Sequence, residues 1–242
     1  MDRFDVFVIG GGGTGSEVAF SLARTSGMRV AIAERDKLGG ECNHYGCVPT
    51  KVMLRSAKIA ALARDGERFG LRIPDVEVDL KAVQQRARDL IDSQSGEGAA
   101  PFERAGVEVF MQEARLLGER RVELADGTQV EADRVVLATG TEAEIPPIAG
   151  LAEGPFWTNK EAIWRPETVP GSLTVIGTGA IGIEFAQIYA RFYINDAHIP
   201  TVIAGPGSLS LAHTANESIG VTELVDAARA YARIFVGFLG TR

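Results

Sequence analysis

Cys42 and Cys47, the chain's two cysteines, stand in Gly39-Gly40-Glu41-Cys42-Asn43-His44-Tyr45-Gly46-Cys47-Val48-Pro49-Thr50-Lys51. Two thiols this close can exchange two electrons by making and breaking one S–S bond. On an ideal helix five residues turn the chain by ~500°, which sets their side chains about 140° apart. A bond between them therefore needs Cys42 in a distorted or pre-helical turn, and Gly46 eases that distortion. Pro49 suits a first helical turn. Both thiols then lie near a helix N-terminus, where the dipole favours thiolate. The plainer alternative is a pair of buried structural cysteines, which needs neither the preceding glycine pair nor the following Pro-x-Lys. His44 is expected as an exposed loop residue, with proton relay near neutral pH as the alternative.

Two glycine loops come next in chemical interest. Gly10-x-Gly12-x-x-Gly15 lies between a buried strand at 4–9 and a helical run from Glu17 to Ala23. The first glycine permits a tight turn, the second lets backbone approach a pyrophosphate, and the third lets helix pack on strand. The helix N-terminus favours the negative ligand. Glu34 closes a second strand, Arg29 to Ala33, where an acid binds a ribose hydroxyl. Gly177-x-Gly179-x-x-Gly182-x-Glu184 repeats the pattern after an expected strand from Ser172 to Ile176. An ordinary glycine turn is the plain alternative in both places. The candidate strand at 200–204 ends in Gly205-Pro206-Gly207, with neither an acid nor a basic residue, so NAD and NADP both stay open.

The elements that must position these groups are an α/β set. Helices are expected over 52–64, with Val52, Met53, Ala57, Ala60 and Ala61 inward, and over 79–95, with Leu80, Val83, Ala87, Leu90 and Ile91 at helical spacing. Strands are expected at 107–111, 121–124 and 128–131, with Asp126-Gly127 as a hairpin turn, and again from Arg134 to Ala138. Residues 144–171 hold five prolines and read as a connection. An amphipathic helix is expected over 222–239.

The cysteine run, followed by Lys51 and flanked by the two loops, resembles the FAD-dependent pyridine nucleotide-disulfide oxidoreductases. That family includes dihydrolipoyl dehydrogenase, glutathione reductase and mercuric reductase. The resemblance implies a redox-active Cys42–Cys47 disulfide, with Cys47 as the flavin-side thiol in charge-transfer contact and Cys42 as the interchange thiol. It implies Lys51 near the reactive flavin nitrogen and Glu184 as its acidic partner. Gly10, Gly12, Gly15, Glu34, Gly40, Thr139 and Gly140 would bind FAD. Gly177, Gly179 and Gly182 would bind NAD(P)H. The implied fold is a doubly wound Rossmann-like FAD-binding domain with an inserted three-stranded β-meander over 1–150, a shortened nucleotide lobe over 151–205, and a helical tail over 206–242. The implied activity is dihydrolipoyl dehydrogenase-like electron transfer on a small-molecule or disulfide substrate, and full-length relatives are homodimers. The segment from Ile145 to Ala162 resembles the mercuric reductase branch, whose C-terminal vicinal cysteines are absent from this sequence.

The resemblance runs from residue 4 to about 192 and then breaks. His198 to Ile203 and Ser218 to Glu223 are similar to the start of the family's interface domain, as though a large internal block were gone. His213 and Glu217 are similar to the family's acid/base pair, one residue short in spacing. A non-catalytic remnant that binds flavin or dinucleotide, or an incomplete version of a longer enzyme, is the competing reading.

The chain has 242 residues and a net charge of -7, with 32 acidic and 25 basic residues. That balance argues against a nucleic-acid partner. Folding at this size buries roughly 70% of the unfolded surface, so no staples are needed. The N-terminus reads as a strand rather than a signal peptide. The apolar stretch near the C-terminus is too short to span a bilayer. A cytoplasmic protein without a metal site or a membrane partner is expected.

Overall fold

The computed structural model describes residues 1–171, 173–177 and 179–193. The expected strand at 200–204, the helix at 222–239, and His213 and Glu217 lie outside the described residues. The chain divides into two compact units. The first comprises Met1–Pro49 and Gln84–Trp164, and the second comprises Thr50–Val83 and the chain from Arg165 onward.

The first unit is built on a six-stranded sheet in the order β3-β2-β1-β6-β5-β4. Its strands are β1 (Asp2–Ile9), β2 (Val30–Ala33), β3 (Val107–Phe110), β4 (Ala114–Gly118), β5 (Arg121–Leu124) and β6 (Gln129–Leu137). β1 pairs in parallel with β2 on one side and β6 on the other, and β2 pairs in parallel with β3. Parallel neighbours bury both faces, which is why Val6 to Ile9 and Val30 to Ala33 are unbroken apolar runs. Val6, Val8, Val30 and Ile32 face one cluster with Ala19 of α1 (Gly13–Ser26). Phe102 of α5 (Ala100–Arg104) joins them and stacks on Phe20 at 4.3 Å. Phe7, Ile9, Ala31 and Ala33 face the other cluster with Val122, Leu124, Val130 and Ala132 of the meander. Successive strand residues thus serve opposite faces.

The inserted three-stranded meander is present, with strands partly other than those expected. The segment expected at 107–111 becomes β3, a parallel edge of the main sheet, and not a meander strand. The meander is β4, β5 and the first half of β6, paired antiparallel. The strands expected at 128–131 and from Arg134 are one continuous β6, because its first half bridges β5 while its whole length lies along β1. The Asp126-Gly127 turn is present. Gly127 has φ 86°, and Asp126 accepts the Thr128 N–H at 2.8 Å. That bond, with one from Gln112, holds the Asp126 carboxyl below the usual carboxylate range.

Three helices lie close to the functional residues. α2 (Gly40–His44) is short, α3 (Cys47–Arg64) follows it, and α4 is Leu80–Ser95. Val52, Met53, Ala57 and Ala60 of α3 are buried as expected, and Ala61 is half-buried. On α4, Leu80, Ala87 and Ile91 are buried, whereas Leu90 is exposed and Gln84 is buried in its place. The proline-rich connection contains a helix that was not expected, α6 (Asn159–Trp164).

The second unit holds most of α3, a 3-10 turn at Gly66–Phe69 and α7 (Ala180–Tyr193). Ile188, Tyr189 and Phe192 of α7 are buried. The Arg64 guanidinium donates to the Arg191 carbonyl at 2.6 Å and the Val76 carbonyl at 3.0 Å. The strand expected from Ser172 to Ile176 is not formed over the described residues 173–177. A strand needs a neighbour to bond, and 173–177 have none among the described residues.

Candidate active site

The first glycine loop joins β1 to α1. Gly10 has φ 105°, and its N–H bonds the Ala33 carbonyl at 2.8 Å. A Cβ on Gly10 would stand 2.2 Å from the Ala138 carbonyl oxygen. A Cβ on Gly15 would stand 1.9 Å from the Gly10 carbonyl oxygen. These two glycines let helix, turn and β6 close on one another. Gly12 is different. A Cβ there would meet only the Gly40 Cα, at 3.9 Å. Gly12 caps α1 with no side-chain hydrogen bond, so the helix presents its first amides to whatever approaches.

Gly40, with φ 59°, crosses directly over this turn. A Cβ on it would stand 2.6 Å from the Gly12 Cα, and Gly12 and Gly39 form a parallel bridge. The glycine pair before the cysteines is therefore fitted to the first loop. Glu34 is half-buried at the end of β2. One carboxylate oxygen accepts the Gly11 N–H at 2.7 Å and the other the Asp36 N–H at 2.8 Å. Each oxygen keeps a second acceptor direction for a hydroxyl donor. Backbone amides, absent side chains and a fixed carboxylate together fit the pyrophosphate and ribose of a dinucleotide. Thr139 and Gly140 follow β6 and are exposed, and Gly140 has φ 70°.

Cys42 and Cys47 form a disulfide, with Cα atoms 4.7 Å apart. Cys42 lies in α2 and Cys47 is the first residue of α3, so two helices replace the single helix whose geometry forbids the bond. The break is at Tyr45, with φ −134° and ψ 2°. Gly46 contributes by close approach. It is buried, and a Cβ there would press to 3.3 Å of the Glu41 carbonyl. Pro49 occupies the first turn of α3, and both cysteines are exposed. They are not buried structural cysteines.

His44 is not an exposed loop residue. It ends α2, is half-buried, and its Nε2 lies 2.9 Å from the Leu38 carbonyl. Tyr45 donates its hydroxyl to Asp36 at 3.0 Å. Burial, then the Asp36 bond, raises its phenol above the ordinary value. Both side chains line a cavity of about 570 Å³ with Arg88, Asp92 and Trp164.

Asn159 was not expected. Its amide donates to Glu41 at 2.7 Å and to the Tyr45 carbonyl at 2.6 Å. Trp164 donates its indole N–H to the His44 carbonyl at 3.1 Å. The available signal was Thr158-x-x-Glu161, a capping box that starts α6. Thr158 donates its N–H to Glu161 at 2.8 Å.

In the second unit, Lys51 pairs with Glu184, and Thr50 donates its hydroxyl to the same carboxylate at 2.9 Å. Thr50 is buried, whereas the Lys51 side chain is 59% exposed. We expect Glu184→Gln to cost less than about 1 kcal/mol in urea denaturation, since the Lys51 end of the pair is exposed and glutamine can still accept the Thr50 hydroxyl. A larger loss would make the contact a structural brace.

The second glycine loop repeats the packing of the first. Gly177 has φ 109°, and a Cβ on Gly182 would stand 2.5 Å from the Gly177 carbonyl oxygen. A Cβ on Gly179 would meet nothing within 4 Å. Among the described residues, no three His, Cys, Asp or Glu side chains are grouped to hold a metal ion, and no helix is long and apolar enough to cross a membrane.

A Rossmann-like dinucleotide fold carrying a disulfide beside its glycine loop is shared with known proteins. The family described as pyridine nucleotide-disulphide oxidoreductase matches residues 4–204, and the chain belongs to that family. It is 37% identical over 193 residues to the dihydrolipoyl dehydrogenase of Chlorobaculum parvum, spanning 78% of this chain and 41% of that protein. It is 38% identical over 194 residues to the mercuric reductase of Shigella flexneri, spanning 77% of this chain and 34% of that protein. In fold it matches the HOCl-induced flavoprotein disulfide reductase RclA of Escherichia coli. The TM-score is 0.64 at 23% identity, over 78% of this chain and 40% of that one. The chain thus spans about two fifths of the length of the dihydrolipoyl dehydrogenases it matches.

Proposed function

We propose that this chain carries the FAD-binding and disulfide half of an NAD(P)H-dependent flavoprotein disulfide oxidoreductase, dihydrolipoyl dehydrogenase-like in its chemistry. The observation that carries the reading is the Cys42–Cys47 disulfide, borne by a glycine pair that packs on the first glycine loop. Residues 1–150 form the FAD domain, residues 151–205 a partial NAD(P)H lobe, and residues 206–242 the start of an interface segment. The nicotinamide and flavin, when bound, would supply an electron pair as hydride.

The chain's own residues do the rest. Gly10, Gly12, Gly15, Glu34, Gly40, Thr139 and Gly140 hold FAD, and Gly177, Gly179 and Gly182 hold the pyridine nucleotide. Lys51, held by Glu184, would supply positive charge to the reduced flavin. Two electrons and two protons convert the Cys42–Cys47 bond into two thiols. Cys42 then attacks a substrate disulfide as thiolate and displaces one substrate thiol. Cys47 attacks the mixed disulfide, frees the second substrate thiol and restores the original bond. The substrate is a small disulfide, and the working form is a cytoplasmic homodimer. The 38% identity to mercuric reductase supports a second reading, in which the same dithiol serves a mercuric reductase-like reaction.

The test is an anaerobic absorbance titration of the purified protein with NADH and then NADPH after reconstitution with FAD. A bound flavin spectrum, followed by a long-wavelength band on two-electron reduction, is the expected result. Failure to retain FAD would replace this reading with a non-catalytic remnant.

A further inference from the structure

The proline-rich connection is fastened to the cysteine loop at three points, all from α6. Asn159 is 7% exposed, and its amide nitrogen donates to both Glu41 and the Tyr45 carbonyl. Both partners are acceptors, which settles the orientation of the amide. Trp164 donates to the His44 carbonyl. Glu41 directly precedes Cys42, and Tyr45 precedes the Gly46-Cys47 step. The strap is itself anchored. The Thr158–Glu161 box starts it, and buried Gln84 of α4 donates to the Ile163 carbonyl at 2.8 Å.

We infer that Asn159 is a positioning residue for the redox pair, holding Cys42 opposite Cys47 when the bond between them is open. The inference rests on the proposed reading of that pair as a reversible couple. A disulfide forms only when the two Cα atoms stay within roughly 7 Å. Once the bond is reduced, the covalent path between α2 and α3 is the kink at Tyr45 and Gly46. The two Asn159 bonds hold the α2 side of that kink, at the Glu41 carboxylate just before Cys42 and at the Tyr45 carbonyl itself. They raise the effective concentration of one thiol at the other and so favour the oxidised form.

The test equilibrates the full chain with glutathione buffers, alkylates the thiols and reads the oxidised fraction by mass, so neither flavin nor substrate enters it. Asn159→Ala is expected to move the equilibrium about tenfold toward the dithiol, about 30 mV for a two-electron couple. Glu41→Ala removes one of the two bonds from the other side and moves it the same way, and the double variant moves it no further than Asn159→Ala alone. Val122→Ala, buried in the sheet away from the loop, lowers stability and leaves the equilibrium in place. An equilibrium within twofold of wild type in both loop variants overturns the inference and leaves the redox reading standing. An equal shift in Val122→Ala also overturns it, by reducing the effect to stability. A wild-type pair that does not equilibrate with glutathione overturns both.

Discussion

Cys47→Ser is expected to abolish turnover of the disulfide substrate proposed above, with a loss on the order of 10⁴-fold or more, as removal of a reacting group causes. Serine cannot form the S–S bond, so no electron pair can be stored in the loop. The reciprocal variant separates the two roles. In Cys42→Ser the remaining thiol sits at the first residue of α3, where the helix dipole stabilises an anion. Its alkylation by iodoacetamide at neutral pH is expected to be faster in the folded chain than in the urea-unfolded one. Cys47→Ser leaves a Cys42 that forms a mixed disulfide and keeps it, because the resolving thiol is gone. A Cys47 thiol in Cys42→Ser that is alkylated no faster when folded than when unfolded would remove the helix terminus from the mechanism.

Gly12→Ala and Gly15→Ala are expected to fail in opposite ways. At Gly15 the new methyl would stand 1.9 Å from a backbone oxygen that no rotamer can move. The expected loss is about 3 kcal/mol or more, the upper range for overpacking. That is a large share of the roughly 5–15 kcal/mol by which domains are stable. At Gly12 the same methyl fits the protein, and the backbone, at φ −68° and ψ −178°, accepts alanine. A cost of about 1 kcal/mol or less follows, that of a poorer helix cap. The methyl fills the space a pyrophosphate needs, so FAD affinity falls at least tenfold, about 1.4 kcal/mol. Denaturation curves and flavin-fluorescence quenching on reconstitution read the two effects apart. Wild-type FAD affinity in Gly12→Ala would place the cofactor elsewhere.

The sequence revealed contacts that a single residue type enforces. Glycines at 10, 15, 177 and 182 are spaced by the close approach of backbone to backbone, so the spacing alone predicts the turn. The cysteine run carried its own departure from helical geometry, and the structure resolves it as two helices. Pairing between distant segments was not readable. Val107 to Phe110 looks the same whether it joins a hairpin or a parallel sheet, because the choice belongs to β2, far back in the chain. β4 was missed because most of its residues are exposed and show no alternation. β6 looked like two strands because Glu131, Asp133 and Arg134 interrupt its apolar run. Asn159 was hidden by the prolines around it, although Thr158 and Glu161 carried the pattern that starts its helix.

The placement of β6 beside β1 also bears on how the chain is made. Arg3 and Asp133 are ion-paired at 2.7 Å although 130 positions separate them. At ~5–20 residues per second, a ribosome needs on the order of ten seconds to supply β6 after β1 has emerged. Through that interval β1 has one open edge, and the turn at Gly10 lacks the Ala138 backbone that closes on it. The cysteines emerge well before Asn159, so the thiols are made long before the strap that holds them. A nascent chain halted near residue 125 should therefore present the open edge of β1 to chaperones, and one long enough for β6 to clear the ribosome should not.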